Sequence, residues 1–290
     1  MIRSEIERFC KHLQARNYSP HTISNYAIDL RLFFAEADKP LRQITWQEVD
    51  RFVQQQHDKG LAATTINRRL NAIKRFFDYL VIEQEKLQVS PIKPSHFLKQ
   101  GRRLPKKLTQ EQIQRLFARM KNRMDRAMFL LMLRCGLRVS EVAALKVSDI
   151  DWEQQALLIE QGKGRKDRRV YISADALASL KECMQMRPSF ITGDSFFWNQ
   201  KRKDKPLSIK AIQKKIERYA KASKVKASCH SLRHTFASNL LEEGAEVISI
   251  KEFLGHESIT SSERYARMSN QKVKQIYMQT IRKVIQKAKV

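Results

Sequence analysis

His230-Ser-Leu-Arg-His-Thr-Phe-Ala-Ser-Asn-Leu-Leu241, read with Leu254-Gly-His256 and Tyr265 downstream, concentrates phosphate-binding chemistry in a short run of chain. The spacing predicts a helix on which His230, Arg233 and His234 share one face. Leu232, Phe236, Leu240 and Leu241 would form the apolar stripe that anchors that face to a core. Two imidazoles and a guanidinium would then converge on a rigid support. Arg offers a planar fork of donors that matches the non-bridging oxygens of a phosphate, and His exchanges a proton near neutral pH. A solvated basic face would carry the same residues, so the remainder of the chain has to decide.

A chain of 290 residues exceeds the usual size of one core, and two domains are expected. The net charge of +26 and the isoelectric point near 10.1 favour a polyanionic partner, nucleic acid first, because neutralising phosphates releases counterions. The charge is unevenly shared. Residues 1–99 hold 16 Lys and Arg against 11 Asp and Glu, and residues 100–290 hold 40 against 19, so the second part carries the electrostatics. Cys10, Cys135, Cys183 and Cys229 are widely spaced and form no C-x-x-C pair, which suggests neither a zinc site nor a disulfide framework. The start lacks the apolar core of a signal peptide and no run approaches 18 uncharged apolar residues. A soluble, cytoplasmic protein with no membrane partner is expected.

Helical periods dominate the first part. Ile2, Ile6, Phe9, Cys10 and Leu13 form one, and Ile23, Tyr26, Leu30 and Phe33 form the next, behind a turn at Tyr18-Ser-Pro20. Thr45-Trp-Gln-Glu48 reads as a capping box that opens a third helix, with Trp46, Val49, Phe52 and Val53 inward and Gly60 as its stop. A fourth spans about 64–80. Its Ile66, Leu70, Ile73, Phe76, Phe77 and Leu80 would pack, leaving Thr65, Asn67, Arg68, Arg69, Lys74 and Arg75 on the other faces. Such a basic, amide-bearing surface either enters a major groove or is simply solvated.

Two close prolines, Gly101 and a basic run that includes Arg102 and Arg103 mark an interdomain linker, whose cations can track a phosphate backbone. Beyond it, Thr109-Gln-Glu-Gln112 caps a helix, and the apolar run from Ala127 to Cys135 predicts a buried one that ends at Gly136. Arg138 falls just before a further helix, capped by Ser140, where an Arg is well placed for phosphate. Ala156–Ile159 and Arg169–Ile172 predict two strands of a hairpin whose turn sets Lys163 between two glycines. From Ser208 to Tyr219 an amphipathic helix should hold Ile209, Ile212 and Ile216 inside and Lys210, Gln213, Lys214 and Arg218 outside, a second candidate for groove entry. The final helix gathers Val273, Ile276, Tyr277, Ile281, Val284 and Ile285 on one face, to dock at home or on a neighbouring subunit.

Arg138, Lys163, His230-x-x-Arg233, His256 and Tyr265, in this order and spacing, resemble the tyrosine recombinase (lambda-integrase) family over nearly the whole chain. The motifs are Cys-Gly-Leu-Arg138-Val-Ser-Glu-Val, Gly-Lys163-Gly-Arg-Lys-Asp-Arg, His230-Ser-Leu-Arg233-His-Thr-Phe-Ala-Ser and Leu-Gly-His256. Length and linker look most like the Xer recombinases or the similar integrases and resolvases of mobile elements. Where many relatives have paired threonines before the tyrosine, this chain has Ser261-Ser262, which keeps the hydroxyls. The resemblance implies a mainly α fold with a small antiparallel β-sheet, in a two-domain C-shaped clamp on DNA. Residues 1–90 would be the helical core-DNA-binding domain, 91–107 the linker, and 108–290 the catalytic domain, with a terminal helix at about 270–286 for subunit docking.

By the same resemblance, Tyr265 is the nucleophile that forms a 3′-phosphotyrosyl link and frees a 5′-hydroxyl. Arg138 and Arg233 hold the non-bridging oxygens, His256 donates a further hydrogen bond, and Lys163 is the general acid toward the leaving oxygen. His230 accepts the tyrosine proton, since a phenol of pKa about 10 is protonated at neutral pH and gains from an adjacent base. Glu141 orients one of these groups. No metal ion, no other cofactor and no ATP are expected, because the covalent link conserves the energy of the broken bond. The expected partners are a double-stranded recombination site and further protomers, four on two DNA sites, alone or with a related recombinase. A type IB topoisomerase would share the chemistry but act without sequence preference, and a DNA-binding protein with a decayed site would lack it.

Overall fold

The computed structural model describes residues 2–99, 107–160, 167–191, 193–199, 206–254 and 270–287. The chain forms two compact units, Met1–Arg103 and Leu104–Val290.

In the first unit, α1 (Ile2–Ala15), α2 (Pro20–Ala37), α3 (Trp46–Asp58) and α4 (Ala63–Asp78) are followed by a π-helical turn at Tyr79–Glu83. Local chemistry sets the helix starts. Ser19 accepts a hydrogen bond from the Thr22 N–H, while Pro20 at the first helical position has no N–H to satisfy. Glu48 reaches back to the Thr45 N–H at 2.9 Å. The four helices enclose an aromatic core in which Phe33 meets Phe52, and Phe9 meets Phe76, edge to face at 5.2 and 5.4 Å. Trp46 departs from its expected inward position: as the first residue of α3 it is 43% exposed, and its ring is met instead by the Lys93 ammonium, 4.2 Å from the centroid.

Residues 92–98 lie against the same core through Ile92, Phe97 and Leu98, with a 3₁₀ turn at Pro94–His96. Asn67 fastens them. Its side chain donates to the Leu98 carbonyl at 2.8 Å and accepts from the Leu98 N–H at 2.9 Å.

The second unit is built on α6 (Arg123–Arg134), whose Ala127–Leu133 stretch is buried. Around it lie α5 (Gln110–Ala118), α7 (Val139–Ala144), α8 (Ala174–Gln185), α9 (Ile209–Ser223), α10 (Cys229–Glu242), α11 (Val247–Leu254) and α12 (Asn270–Lys287). The charged side chains at the two ends of α6 are paired, as burial demands, while the buried hydroxyls of Ser179 and Ser249 make no hydrogen bond among the described residues. Arg134 meets Asp175 at 2.8 Å; Asp125 receives Lys215 at 2.7 Å and the Tyr219 hydroxyl at 2.8 Å, tying α6 to α9. Burial, then the neighbouring Asp125 carboxylate, pushes that hydroxyl up to about 12.

A small antiparallel sheet joins β1 (Ile150–Asp151), β2 (Ala156–Ile159) and β3 (Arg168–Tyr171), with Leu157 paired to Val170. The fold is thus mainly helical with one small antiparallel sheet; the two-residue β1 is additional to the expected hairpin. Helix α12 packs on its own unit, where Tyr277, Ile281 and Val284 bury against Phe236, Phe253 and Leu254, and the Tyr277 hydroxyl donates to the Arg134 carbonyl at 3.0 Å. Two apolar side chains lie outside the cores expected for them. Ile209 is 42% exposed, at the first turn of α9 before Ile212 and Ile216 reach the core, and Leu241 is 53% exposed at the last turn of α10. Among the described residues no helix is long and apolar enough to cross a membrane.

Candidate active site

Arg138, His230 and Arg233 line one pocket of about 530 Å³, which α9 closes with Gln213, Ile216 and Glu217. His230 is exposed on the first turn of α10. That turn is fixed by Ser228 and Ser231, each side chain accepting the other's backbone N–H, at 3.1 and 2.8 Å. His234 is not part of this lining; its Nε2 lies 3.5 Å from Ser238 Oγ.

Arg233 is buried, and its guanidinium donates to two backbone carbonyls, Gly136 through Nη1 and Leu254 through Nη2, the latter at 2.5 Å. Gly136 has φ +68°, and a Cβ there would meet the Phe236 ring at 2.5 Å. Only glycine both adopts that conformation without strain and clears the ring, so the carbonyl that holds Arg233 depends on it. Burial, and then the like charge of Arg138, lowers the Arg233 pKa to about 10, with Glu141 opposing; the group stays cationic at neutral pH.

Arg138 is itself the capping position of α7, which replaces the expected cap at Ser140. Its N–H donates to Glu141 Oε2 at 2.7 Å and its Nη1 to Glu141 Oε1 at 2.8 Å, so a carboxylate three residues on closes the helix start. The same carboxylate receives both terminal nitrogens of Arg168 at 2.9 Å and stands 3.7 Å from Arg233. Burial pushes the Glu141 carboxyl up, and the hydrogen bonds from Arg168 and the Arg138 backbone outweigh it, leaving the pKa below the ordinary carboxylate value. Three guanidinium groups thus surround one anion. The remaining positive charge suits a phosphodiester.

In the sequence, Gly136 reads only as the end of a helix, and Arg168 and the Leu254 carbonyl carry no assigned role. A signal for Arg168 existed in the alternation of β3, which sets it on the face of Val170 and opposite the exposed Arg169. The backbone acceptors leave no such trace.

Asn67, expected on the DNA-facing surface, is buried and spent on Leu98, because a primary amide can both donate to the carbonyl and accept from the N–H of one residue. Of its neighbours on α4, Thr65 is half-buried and Arg75 exposed, while Arg68 pairs with buried Asp29, Nη2 to Oδ1 at 3.0 Å. Arg69 donates to Gln56, and Lys74 pairs with Asp78 at 2.6 Å. On α9, Lys210, Lys214 and Arg218 are exposed, Arg218 lying 3.7 Å from Asp125. Arg102, Arg103, Lys163, His256 and Tyr265 lie outside the described residues. Among the described residues no cluster of His, Cys, Asp and Glu is arranged to hold a metal ion.

Residues 106–272 match the phage integrase family, and residues 6–84 match its N-terminal SAM-like domain. Tyrosine recombinase XerA of Pyrococcus furiosus is 33% identical, over 94% of this chain and 93% of its own length. Tyrosine recombinase XerC of Bacillus subtilis is 28% identical, over 96% of each. The fold aligns with a lambda integrase solved as a tetramer bound to a Holliday junction, with a TM-score of 0.70 at 21% identity, covering 91% of this chain and 80% of that one. The chain therefore belongs to the phage integrase family and is a Xer-like tyrosine site-specific recombinase.

Proposed function

We propose that the protein cuts and rejoins DNA at a specific duplex site through a 3′-phosphotyrosyl link on Tyr265, passing through a Holliday junction without metal ion or ATP. The observation that carries this reading is the convergence of Arg138, Arg233 and His230 on one pocket, with both guanidinium groups held from behind by Glu141 or backbone carbonyls. Donors held in advance need no reorganisation when charge builds on the phosphoryl oxygens.

The Tyr265 oxygen would attack phosphorus, its proton passing to His230. The bond from phosphorus to the 5′-oxygen breaks, and Lys163 supplies the proton that leaves with it as a hydroxyl. His256 would donate to a non-bridging oxygen. Because the phosphotyrosyl bond stores the energy of the bond it replaces, the 5′-hydroxyl of another strand can reverse the step with no other energy source.

Residues 1–90 would grip the core DNA together with 92–98, which pack on their core and so narrow the linker expected at 91–107 to its later residues, and 108–290 would be the catalytic domain. Thr65, Arg68, Arg69, Lys74, Arg75, Arg102, Arg103, Lys210, Lys214 and Arg218 are the proposed DNA contacts; Asn67 is withdrawn from that set by its burial. Four protomers would assemble on two sites, as identical copies or with a related recombinase, each helix at about 270–286 leaving the seat it occupies on its own unit to dock on a neighbour. The reaction would take place in the cytoplasm and serve resolution of chromosome or plasmid dimers, or integration, excision or resolution of a mobile element.

Expressing wild type and Tyr265→Phe in cells, stripping non-covalent DNA under denaturing conditions and sequencing what remains attached tests this reading. Attachment by the wild type alone, with ends at one motif, is expected. Scattered ends would replace recombination with topoisomerase activity, and attachment by both proteins would remove Tyr265 as nucleophile.

A further inference from the structure

We propose that Arg168 is a positioning residue for strand cleavage, acting on Arg138 and Arg233 through Glu141 and on the end of α11 through the Phe253 carbonyl. The inference rests on the function proposed above and adds to it a residue that does not touch the phosphate. All three of its nitrogens point into the protein: Nη1 and Nη2 each lie 2.9 Å from a Glu141 oxygen, and Nε lies 3.3 Å from the Phe253 carbonyl. The side chain is 10% exposed.

The physical need for such a residue follows from the geometry around Glu141. Its carboxylate sits between the two arginines proposed to bind phosphate, 2.8 Å from Arg138 Nη1 and 3.7 Å from Arg233 Nη1. An anion in that place competes with the substrate for both. A forked pairing with a third guanidinium occupies both oxygens and fixes the plane of the carboxylate. Glu141 can then orient Arg138 without drawing Arg233 off the Gly136 carbonyl. The bond to Phe253 extends this control to the residue before Leu254, whose carbonyl is the other anchor of Arg233. In sequence, His256 follows two positions later. One side chain on β3 therefore links the α7 cap, the seat of Arg233 and the end of α11.

The probe is a duplex carrying the motif recovered from the wild-type covalent adduct, nicked so that the cleaved fragment departs. Single-turnover adduct formation reads cleavage, and binding of the same duplex is measured in a Tyr265→Phe background. Arg168→Met should slow cleavage about 100-fold, the scale of a small misplacement of reacting groups, while the dissociation constant moves by less than about threefold. Arg168→Lys, which keeps the charge without the fork, should fall about tenfold. In a Glu141→Gln background Arg168→Met should cost less than about threefold more, because the two act as one unit. Cleavage by Arg168→Met within twofold of wild type, losses that multiply in the double variant, or binding that falls as far as the rate would each overturn the role. If Arg168→Met does not fold by thermal melting, Arg168→Lys is judged by the same twofold criterion. A wild type that forms no adduct overturns the reaction itself and this role with it, an outcome distinct from an active wild type with unimpaired variants.

Discussion

Arg233 and Leu254 are joined by a hydrogen bond from the guanidinium Nη2 to the backbone carbonyl, 2.5 Å long, and a second nitrogen of the same group holds the Gly136 carbonyl. The bond spans 21 residues of sequence and ties α10 to the end of α11. An ammonium group is a point charge and cannot reach two carbonyls in a fixed fork. Arg233→Lys should therefore retain the charge and lose the aim. We expect cleavage to fall about 100- to 1,000-fold, the scale of removing one donor from a prearranged anion site, with DNA affinity little changed. Single-turnover cleavage alongside equilibrium binding checks this; a rate within threefold of wild type would contradict it.

Gly136→Ala should be damaging for two reasons. Its φ of +68° strains any residue with a Cβ, and that Cβ would meet the Phe236 ring at 2.5 Å. Strain and overpacking together should cost about 2–4 kcal/mol, measured by denaturant unfolding, and cleavage should fall as the carbonyl under Arg233 shifts. Gly60, also at positive φ but with open space around a Cβ, serves as the control, and Gly60→Ala should cost only about 1 kcal/mol.

Asn67 and the exposed lysines of α9 should respond in opposite ways. Asn67→Ala strands the N–H and carbonyl of Leu98 and should destabilise the protein by about 1–3 kcal/mol. It should leave the salt dependence of DNA binding unchanged. Lys210→Ala or Lys214→Ala should do the reverse, each lowering the slope of log affinity against log salt by about 0.9 if it meets a phosphate. Unfolding curves and binding titrations at several salt concentrations separate the two. A loss of DNA affinity of about tenfold or more by folded Asn67→Ala would return that residue to the DNA surface.

Glu48 sets an acid limit on the first unit. Hydrogen bonds from Lys39, at 2.6 Å, and from Thr45 hold its pKa down to about 2, against an ordinary value of 4.5. A carboxyl whose folded pKa is depressed contributes stability above its unfolded pKa and loses it as pH falls through the folded one. The stability difference between wild type and Glu48→Gln should therefore be constant above about pH 5 and shrink between 4.5 and about 2. Unfolding free energies across that range test it, and a difference independent of pH would exclude the carboxylate as the cause.

The sequence by itself determined what short-range chemistry can settle. Ser19, Thr45 with Glu48, and Thr109 with Gln112 mark helix starts because each cap closes within three or four residues. The period of α4 tells which face is apolar, the unbroken apolar run of α6 tells that it is buried, and the spacing of Arg138, Lys163, His230, Arg233, His256 and Tyr265 carries the family. Periodicity reports the direction of a side chain but not the partner waiting there. Asn67 and Arg75 read alike on α4, yet one is locked to Leu98, 31 residues away, and the other is exposed. Arg168 reads as one more cation in a basic turn until folding brings it to Glu141, 27 residues earlier, and Arg233 meets a carbonyl 97 residues earlier. Those pairings were decided only by the tertiary structure, because a buried polar group must find its partner wherever packing places one, and backbone acceptors carry no signature in the sequence.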